Sequence, residues 1–393
     1  MTDERPLSHL RVLDLTRLLP GGYCTLLLAD LGADVIKVEQ PGGGDYIRWM
    51  PPERDEVSAG HLALNRGKRS ITLNLKHAEG PGVLKRLVRE ADVLVESFRP
   101  GVMERLGVGF ETLTEENERL VYCAITGYGQ DGPYRDRAGH DQNYLGYAGV
   151  LDVIGELDGP PVVPGVQIAD VGGGGLMAST GILAALAERE RTGRGRFVDI
   201  SMMDGAFSWL SIHGAAYALT GEIPRRGAMR LSGAYACYHP YEAADGRWIT
   251  VGALEPQFFI ALCEVLGVPE FAERQFVEGD EQCAMIERLK EIFRTRTRDE
   301  WMAELEHLEA CVGPVKTVAE AYQDPQLRAR GMIVETPLPS GLVATIGNPV
   351  RFAGEPPARG APPPGFGEHT DQVLAAGGYD AGAIARMRAA GIL

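Results

Sequence analysis

The chain has 393 residues, 45% of them hydrophobic and 24% charged, which is the balance of a folded globular protein and not of a disordered or fibrous one. A formal net charge of -15 argues against nucleic acid or an anionic membrane as partner, although a local basic cluster can oppose that sign. The N-terminus MTDERPLSHLRV lacks the apolar core of a secretory signal, and no uninterrupted apolar run approaches the about 20 residues of a membrane span. Six scattered cysteines without a CxxC pair fit reduced thiols, so a cytoplasmic protein without a structural metal is expected.

In chain order, LRVLDL (10–15) reads as a short apolar strand, GGYCTLLLADLGA (21–33) has helical spacing, and DVIKVE (34–39) is a second strand. SITLNL (70–75), a helix over 81–91, DVLVESF (92–98) and LVYCAITGYG (120–129) continue the alternation. Strands separated by helices predict an α/β, doubly wound domain with a parallel sheet and right-handed crossovers. A glycine-led helix follows over 172–195. From about 234 the texture changes: YACYHPYEAADGRWITVGAL alternates around a turn at 244–246, and 282–309 is charged and helical, which predicts a separate, smaller domain.

Several segments carry candidate chemistry. The loop TRLLPGGYC lacks GxGxxG spacing, which argues against a nicotinamide site; its two glycines suit either a phosphate or a tight strand-to-helix turn. Glu39 ends a strand where an acid often receives a ribose hydroxyl. NRGKRSITLNLK (65–76) sets Arg66, Lys68, Arg69 and Lys76 around a strand start, and SFRPGVMERLG (97–107) adds Arg99 and Arg105 beyond a strand end. Such clusters bind phosphates or form a solvated basic face.

His140, in RAGHDQNYLGYAG (137–149), has the side chain best suited to proton transfer at neutral pH, though a lone histidine is more often structural. Asp170 precedes four glycines at a helix start, where the dipole favours a carboxylate and a simple N-cap explains it as well. Glu255, before Pro256, has the same two readings.

Taken together, LLADLGADVIKVEQPGGGD (27–45), NRGKRSITLNLK, SFRPGVMERLG, GYGQDGPY and RTGRGRFVDISMMDG (191–205), with CVGPV and GEHT (367–370) beyond them, resemble the class III CoA-transferase, or CaiB/BaiF, family over essentially the whole chain. Within it, AGHDQNYL, IADVGGGG and ALEPQFF resemble the α-methylacyl-CoA racemase branch. That resemblance implies His140 and Asp170 as a proton-transfer pair with Glu255 as a supporting acid. It implies CoA contacts from Arg17, Gln40, Asn65, Lys68, Arg69, Leu73, Phe98, Arg99 and Arg105. The alternative is a CoA-transferase in which Asp170 forms a mixed anhydride. Two departures touch substrate identity: Gln40 stands where the racemases usually have arginine, and MRLSGAYACY (229–238) replaces their MLDGGAPxY.

The family fold implied is a Rossmann-like large domain plus a smaller α+β domain, in a homodimer of interlocked rings. Here that gives a large domain from 1–201 and 344–393, a small domain over 234–325, and linkers over 202–233 and 326–343. In that dimer Glu255 would come from the partner chain. The substrate implied is an acyl-CoA thioester, with no other cofactor, and backbone N–H groups near Gly172–Gly175 are the expected donors to an enolate oxygen.

Overall fold

The computed structural model describes residues 5–353 and 360–393. The chain divides into two compact units. The first comprises Met1–Ala148, Gly165–Trp209 and Pro325–Leu393; the second comprises Gly149–Pro164 and Leu210–Asp324. Gly149–Pro164 thus groups with the second unit, although its position in the sequence suggests the first.

The first unit holds a six-stranded sheet of β1 (Arg11–Asp14), β2 (Asp34–Glu39), β3 (Arg69–Thr72), β4 (Val93–Glu96), β5 (Val121–Thr126) and β6 (Phe197–Ser201). All pairings are parallel and the spatial order is β3-β2-β1-β4-β5-β6. β4 and β5 are buried along their whole length, as expected of strands covered on both faces. Leu13, Ile36, Ile71, Leu94 and Tyr122 pack with Leu84 and Leu87 of the helix Gly80–Val88 and with Val373, Leu374 and Ile384 near the C-terminus. The last segment therefore completes this core, and it is tied to β3 by His369 N–H to the Ser70 carbonyl at 2.9 Å and Thr72 N–H to Thr370 Oγ1 at 3.1 Å.

The strand order reverses between β1 and β4, and in such sheets ligands bind outside the carboxyl ends of the strands at that point. The first helix, Leu18–Asp30, begins there, three residues earlier than the apolar spacing suggests. Leu18 has a left-handed backbone (φ 61°), held by its N–H donating to the buried Asp45 carboxylate at 3.0 Å.

The glycine-led segment is a π-helix, Ile168–Leu176, continuing as an α-helix over Met177–Thr192. Gly172 through Gly175 are buried. A methyl on Gly205 would overlap the Gly173 carbonyl, so these two glycines let the π-helix and the helix Met202–Ser208 touch backbone to backbone. By length and composition Ile168–Thr192 is apolar enough to cross a membrane, contrary to the simple count of apolar runs; half of its apolar window is buried in the protein.

The second unit has an antiparallel sheet of β7 (Tyr238–Glu242), β8 (Trp248–Gly252) and β9 (Val312–Pro314), with β8 central. Its core joins Tyr241, Phe259, Phe293 and Trp301. The charged stretch 282–309 forms two helices, Asp280–Phe293 and Arg298–Leu305, because Thr297 and Glu300 form a capping box that starts the second.

Candidate active site

A cavity of about 490 Å³ opens at the carboxyl ends of the first unit's strands. Its wall is built by the chain leaving β1 (Arg17, Leu18, Pro20), β4 (Ser97–Pro100), β5 (Gly127, Tyr128) and β6 (Met202), together with His140, Asn143, Tyr144 and Asp170. Residues far apart in sequence meet here because every parallel strand delivers its outgoing loop to the same edge.

His140 precedes the helix Asp141–Tyr147, its backbone N–H donating to Asn143 Oδ1 at 3.0 Å, and its side chain is exposed in the cavity. Tyr144 braces this turn: its hydroxyl donates to the Gly139 carbonyl, and its ring meets Tyr128 edge-on at 5.2 Å. Asp170 is not the N-cap of its helix; that position is Gln167. The Asp170 N–H instead donates to Asp141 Oδ1 at 2.9 Å. Burial pushes the Asp170 carboxyl up to about 6, the Asp141 charge adds to the rise, and His140 draws it partly back. The expected preference of the helix end for the ionised form is therefore outweighed.

Gly172–Gly175, the expected enolate donors, lie in the π-helix behind Asp170. These glycines are buried and are not among the residues lining the cavity. Glu255 lies in the second unit, exposed at the N-cap of the helix Pro256–Leu266, yet its side chain makes no capping hydrogen bond.

The nine expected CoA contacts separate sharply. Arg17, Phe98 and Arg99 line the cavity. The Arg17 guanidinium lies 5.5 Å from both the Tyr46 and Phe98 ring centres and donates to Gln40 Oε1 at 3.2 Å. Among the described residues neither Arg17 nor Arg99 forms an ion pair. Arg105 is exposed on the helix Val102–Arg105 and is not among the residues lining the cavity.

Four other residues implied as CoA contacts have their side chains engaged elsewhere. Lys68 is fully buried, with Nζ donating to Asp14 at 3.1 Å, Thr25 Oγ1 at 2.7 Å and Asn65 Oδ1 at 3.0 Å. Asn65 is locked between Lys68 and His61, and the Leu73 side chain is in the core. Arg69 starts β3, at the opposite edge of the sheet, and its Nε donates to Asp34 at 2.9 Å. Glu39 is also occupied: Arg48 holds it with two bonds of 2.7 Å and the Ser70 hydroxyl adds a third, which leaves it no ribose to receive.

Asp14 is the centre of the buried network beneath the cavity. Burial alone would raise its pKa, but the Lys37 and Lys68 ammonium groups and the Thr16 and Thr25 hydroxyls hold it well below the usual range. Two cavity arginines escaped the sequence analysis, Arg135 and Arg137. Arg137 stacks 3.9 Å from the Tyr134 ring centre and donates to the Tyr147 hydroxyl at 2.7 Å. Their position in YRDRAGH, just ahead of His140, is the signal that marks them. No group of three or more His, Cys, Asp or Glu side chains is gathered as a metal set among the described residues.

Residues 7–370 match the model of CoA-transferase family III. The chain belongs to that family. It is 36% identical to human alpha-methylacyl-CoA racemase, covering 95% of this chain and 94% of the racemase. It is 34% identical to human succinyl-CoA:glutarate CoA-transferase, covering 100% of this chain and 91% of the transferase. The crystal structure of a CaiB/BaiF family protein from Brucella suis superimposes with a TM-score of 0.83 at 35% identity, covering 95% of this chain and 100% of that one. This family III member is thus similar to enzymes named for two different reactions of acyl-CoA.

Proposed function

We propose that the protein is an α-methylacyl-CoA racemase, and the observation that carries this is His140 and Asp170 lining one cavity with Asp170 raised to about 6. Inversion at the carbon next to a thioester needs a base on one face and an acid on the other. A neutral His140 takes the α-proton, and the electron pair moves into the carbonyl to give an enolate. A protonated Asp170 then delivers its proton to the opposite face, leaving carboxylate and imidazolium. For the other enantiomer the roles exchange. An acid poised near neutral pH suits this work, since it can both hold and release the proton. Asn143 and Arg99, both in the wall, are the candidate donors to the enolate oxygen. The test is wash-in of solvent deuterium at the α-carbon of a 2-methylacyl-CoA with no acceptor acid present; absence of exchange overturns the reading.

The second reading, a CoA-transferase, is favoured by the similarity to transferases and by four arginines in the cavity wall, which suit a carboxylate acceptor. Here the Asp170 carboxylate attacks the thioester carbonyl to give a mixed anhydride and CoA thiolate. The thiolate then attacks the Asp170 carbonyl, and the donor acid leaves as carboxylate. The acceptor carboxylate takes CoA from the Asp170 thioester through a second anhydride, which restores the Asp170 carboxylate.

We also propose a homodimer. The helix Ser211–Thr220 has no buried residue, with Ile212 72% and Leu219 87% exposed, which supports cover by a second copy. Sedimentation at micromolar concentration tests this, and a stable active monomer rejects it.

A further inference from the structure

Glu96 ends β4 where the chain leaves the sheet to form Ser97–Pro100 of the cavity wall. It is 5% exposed. Its Oε2 accepts the Phe98 N–H at 2.7 Å, and its Oε1 lies 3.4 Å from the Tyr122 hydroxyl. Ser97, next along, accepts the Arg17 N–H at 3.0 Å on its hydroxyl, and the Phe98 ring lies beneath the Arg17 guanidinium. One carboxyl group thus closes the turn that sets Phe98 and Arg99 in the wall and, through Ser97, steadies Arg17.

The titratable groups acting on Glu96 are Tyr122 and the buried thiol of Cys123 from β5, Glu104 from the helix Val102–Arg105 and Asp199 from β6. None is a cation, and among the described residues Glu96 forms no ion pair. A buried carboxyl group in such surroundings keeps its proton, because the anion would lose its hydration with no opposite charge in return.

We propose that Glu96 is a positioning residue, neutral at physiological pH, whose bond to Phe98 fixes the Ser97–Arg99 wall in its binding shape. The proposal rests on the reading that this cavity takes an acyl-CoA. Burial pushes the Glu96 carboxyl up to about 8, and Glu104 and Asp199 add to the rise. Because Glu96 holds its proton only while buried, rising pH up to about 8 increasingly favours opening of the wall, which lets the carboxylate reach water.

The experiment measures CoA affinity by calorimetry and amide exchange protection at Phe98 between pH 6.5 and 9.5, for the whole chain and for Glu96→Gln and Glu96→Ala. In the unaltered protein both quantities fall about tenfold from pH 7 to 9, roughly the effect of one unit of titration below the folded midpoint, and level off above it. Glu96→Gln keeps the acceptor oxygen without an ionisable proton, so its neutral-pH values match the unaltered protein and its alkaline loss disappears. Lys68, which burial pulls down to about 8, still titrates in that variant, so the comparison isolates Glu96. Glu96→Ala lowers protection and affinity at every pH, with KM for acyl-CoA rising more than kcat falls. If the alanine variant does not fold, the glutamine comparison decides alone. The same alkaline loss in Glu96→Gln as in the unaltered protein overturns the proposal. Phe98 protection that follows the expected pattern without CoA binding at any pH upholds the positioning role and rejects the acyl-CoA reading of the cavity.

Discussion

The Asp141 carboxylate accepts the backbone N–H of Asp170 at 2.9 Å, so the residue next to His140 in the chain grips the second member of the proposed proton-transfer pair. This contact does two things. It fixes the start of the π-helix against the turn that carries His140, and it sets a negative charge beside Asp170. Helix irregularities of this kind are common where a side chain must be aimed at a site.

Asp141→Asn keeps an acceptor oxygen but removes the charge. The Asp170 pKa should then fall from about 6 toward its ordinary value, since Asp141 is one cause of its rise. For the enantiomer from which Asp170 takes the proton, the acidic limb of the pH dependence of α-exchange should shift to lower pH, with little change in Tm. An acidic limb that does not move would separate Asp170 from that ionisation.

The stability sign follows from the same shift. A carboxyl with a raised folded pKa favours the folded state least once it must ionise, so stability falls as pH rises from about 4 to about 6. Asp170→Asn should abolish that loss and raise stability at pH 7 by up to about 3 kcal/mol while it abolishes turnover. Chemical denaturation at pH 4 and pH 7 measures both terms, and such a gain from removing a residue marks a site where function opposes stability.

Cation placement predicts how CoA binding responds to salt. Arg99→Gln should raise KM for acyl-CoA about tenfold and flatten its dependence on ionic strength, because Arg99 lines the cavity and forms no ion pair among the described residues. Arg69→Gln should leave both unchanged, since its charge faces Asp34 at the far edge of the sheet. Steady-state kinetics at two salt concentrations tests the pair; equal effects would return Arg69 to the binding site.

The contrast between Arg99 and Arg69 shows what the sequence discloses. Parallel strands read well because their apolar runs are continuous: DVIKVE is β2 residue for residue, and the loop TRLLPGGYC and the segment SFRPGVMERLG, read as strand-end sites, bring Arg17 and Arg99 to the cavity, whereas His140 and Asp170 are implied as a pair by the family resemblance. Basic residues read poorly because their partners are distant. Asp14 is 54 residues from Lys68, and Asp34 is 35 from Arg69, so a local cluster gives no sign that its charges are already paired. The π-helix was equally hidden, since glycines at 172–175 carry no side-chain periodicity to tell one helical pitch from another.

Those glycines give a packing prediction. Gly205→Ala should destabilise the protein by about 3 kcal/mol, because its methyl group meets the Gly173 carbonyl and two helix backbones must part to admit it. Gly82→Ala, with open space around the new methyl, should change Tm little. Thermal unfolding of the two variants checks the close approach, and equal Tm values would rule it out.

The two acyl-CoA reactions are separated by what each catalytic residue does alone. In a racemase, His140→Ala and Asp170→Ala each leave only one proton-transfer group. Each should lose interconversion of enantiomers by about a hundredfold or more, the usual scale of general acid–base catalysis. The two variants should differ, however, in which enantiomer still exchanges its α-proton, because each retains the base for a different face. No acceptor acid should be needed at any stage. In a transferase the result inverts. Turnover requires the acceptor, His140→Ala costs comparatively little, and Asp170 accumulates as an acyl adduct that hydroxylamine converts to a hydroxamate detectable by mass spectrometry. Complementary loss of exchange in the two variants, with no adduct on Asp170, is the expected outcome. An acceptor-dependent adduct on Asp170 with no α-exchange would instead assign the chain to acyl transfer, and would recast the raised Asp170 carboxyl as a nucleophile that becomes competent only above about pH 6.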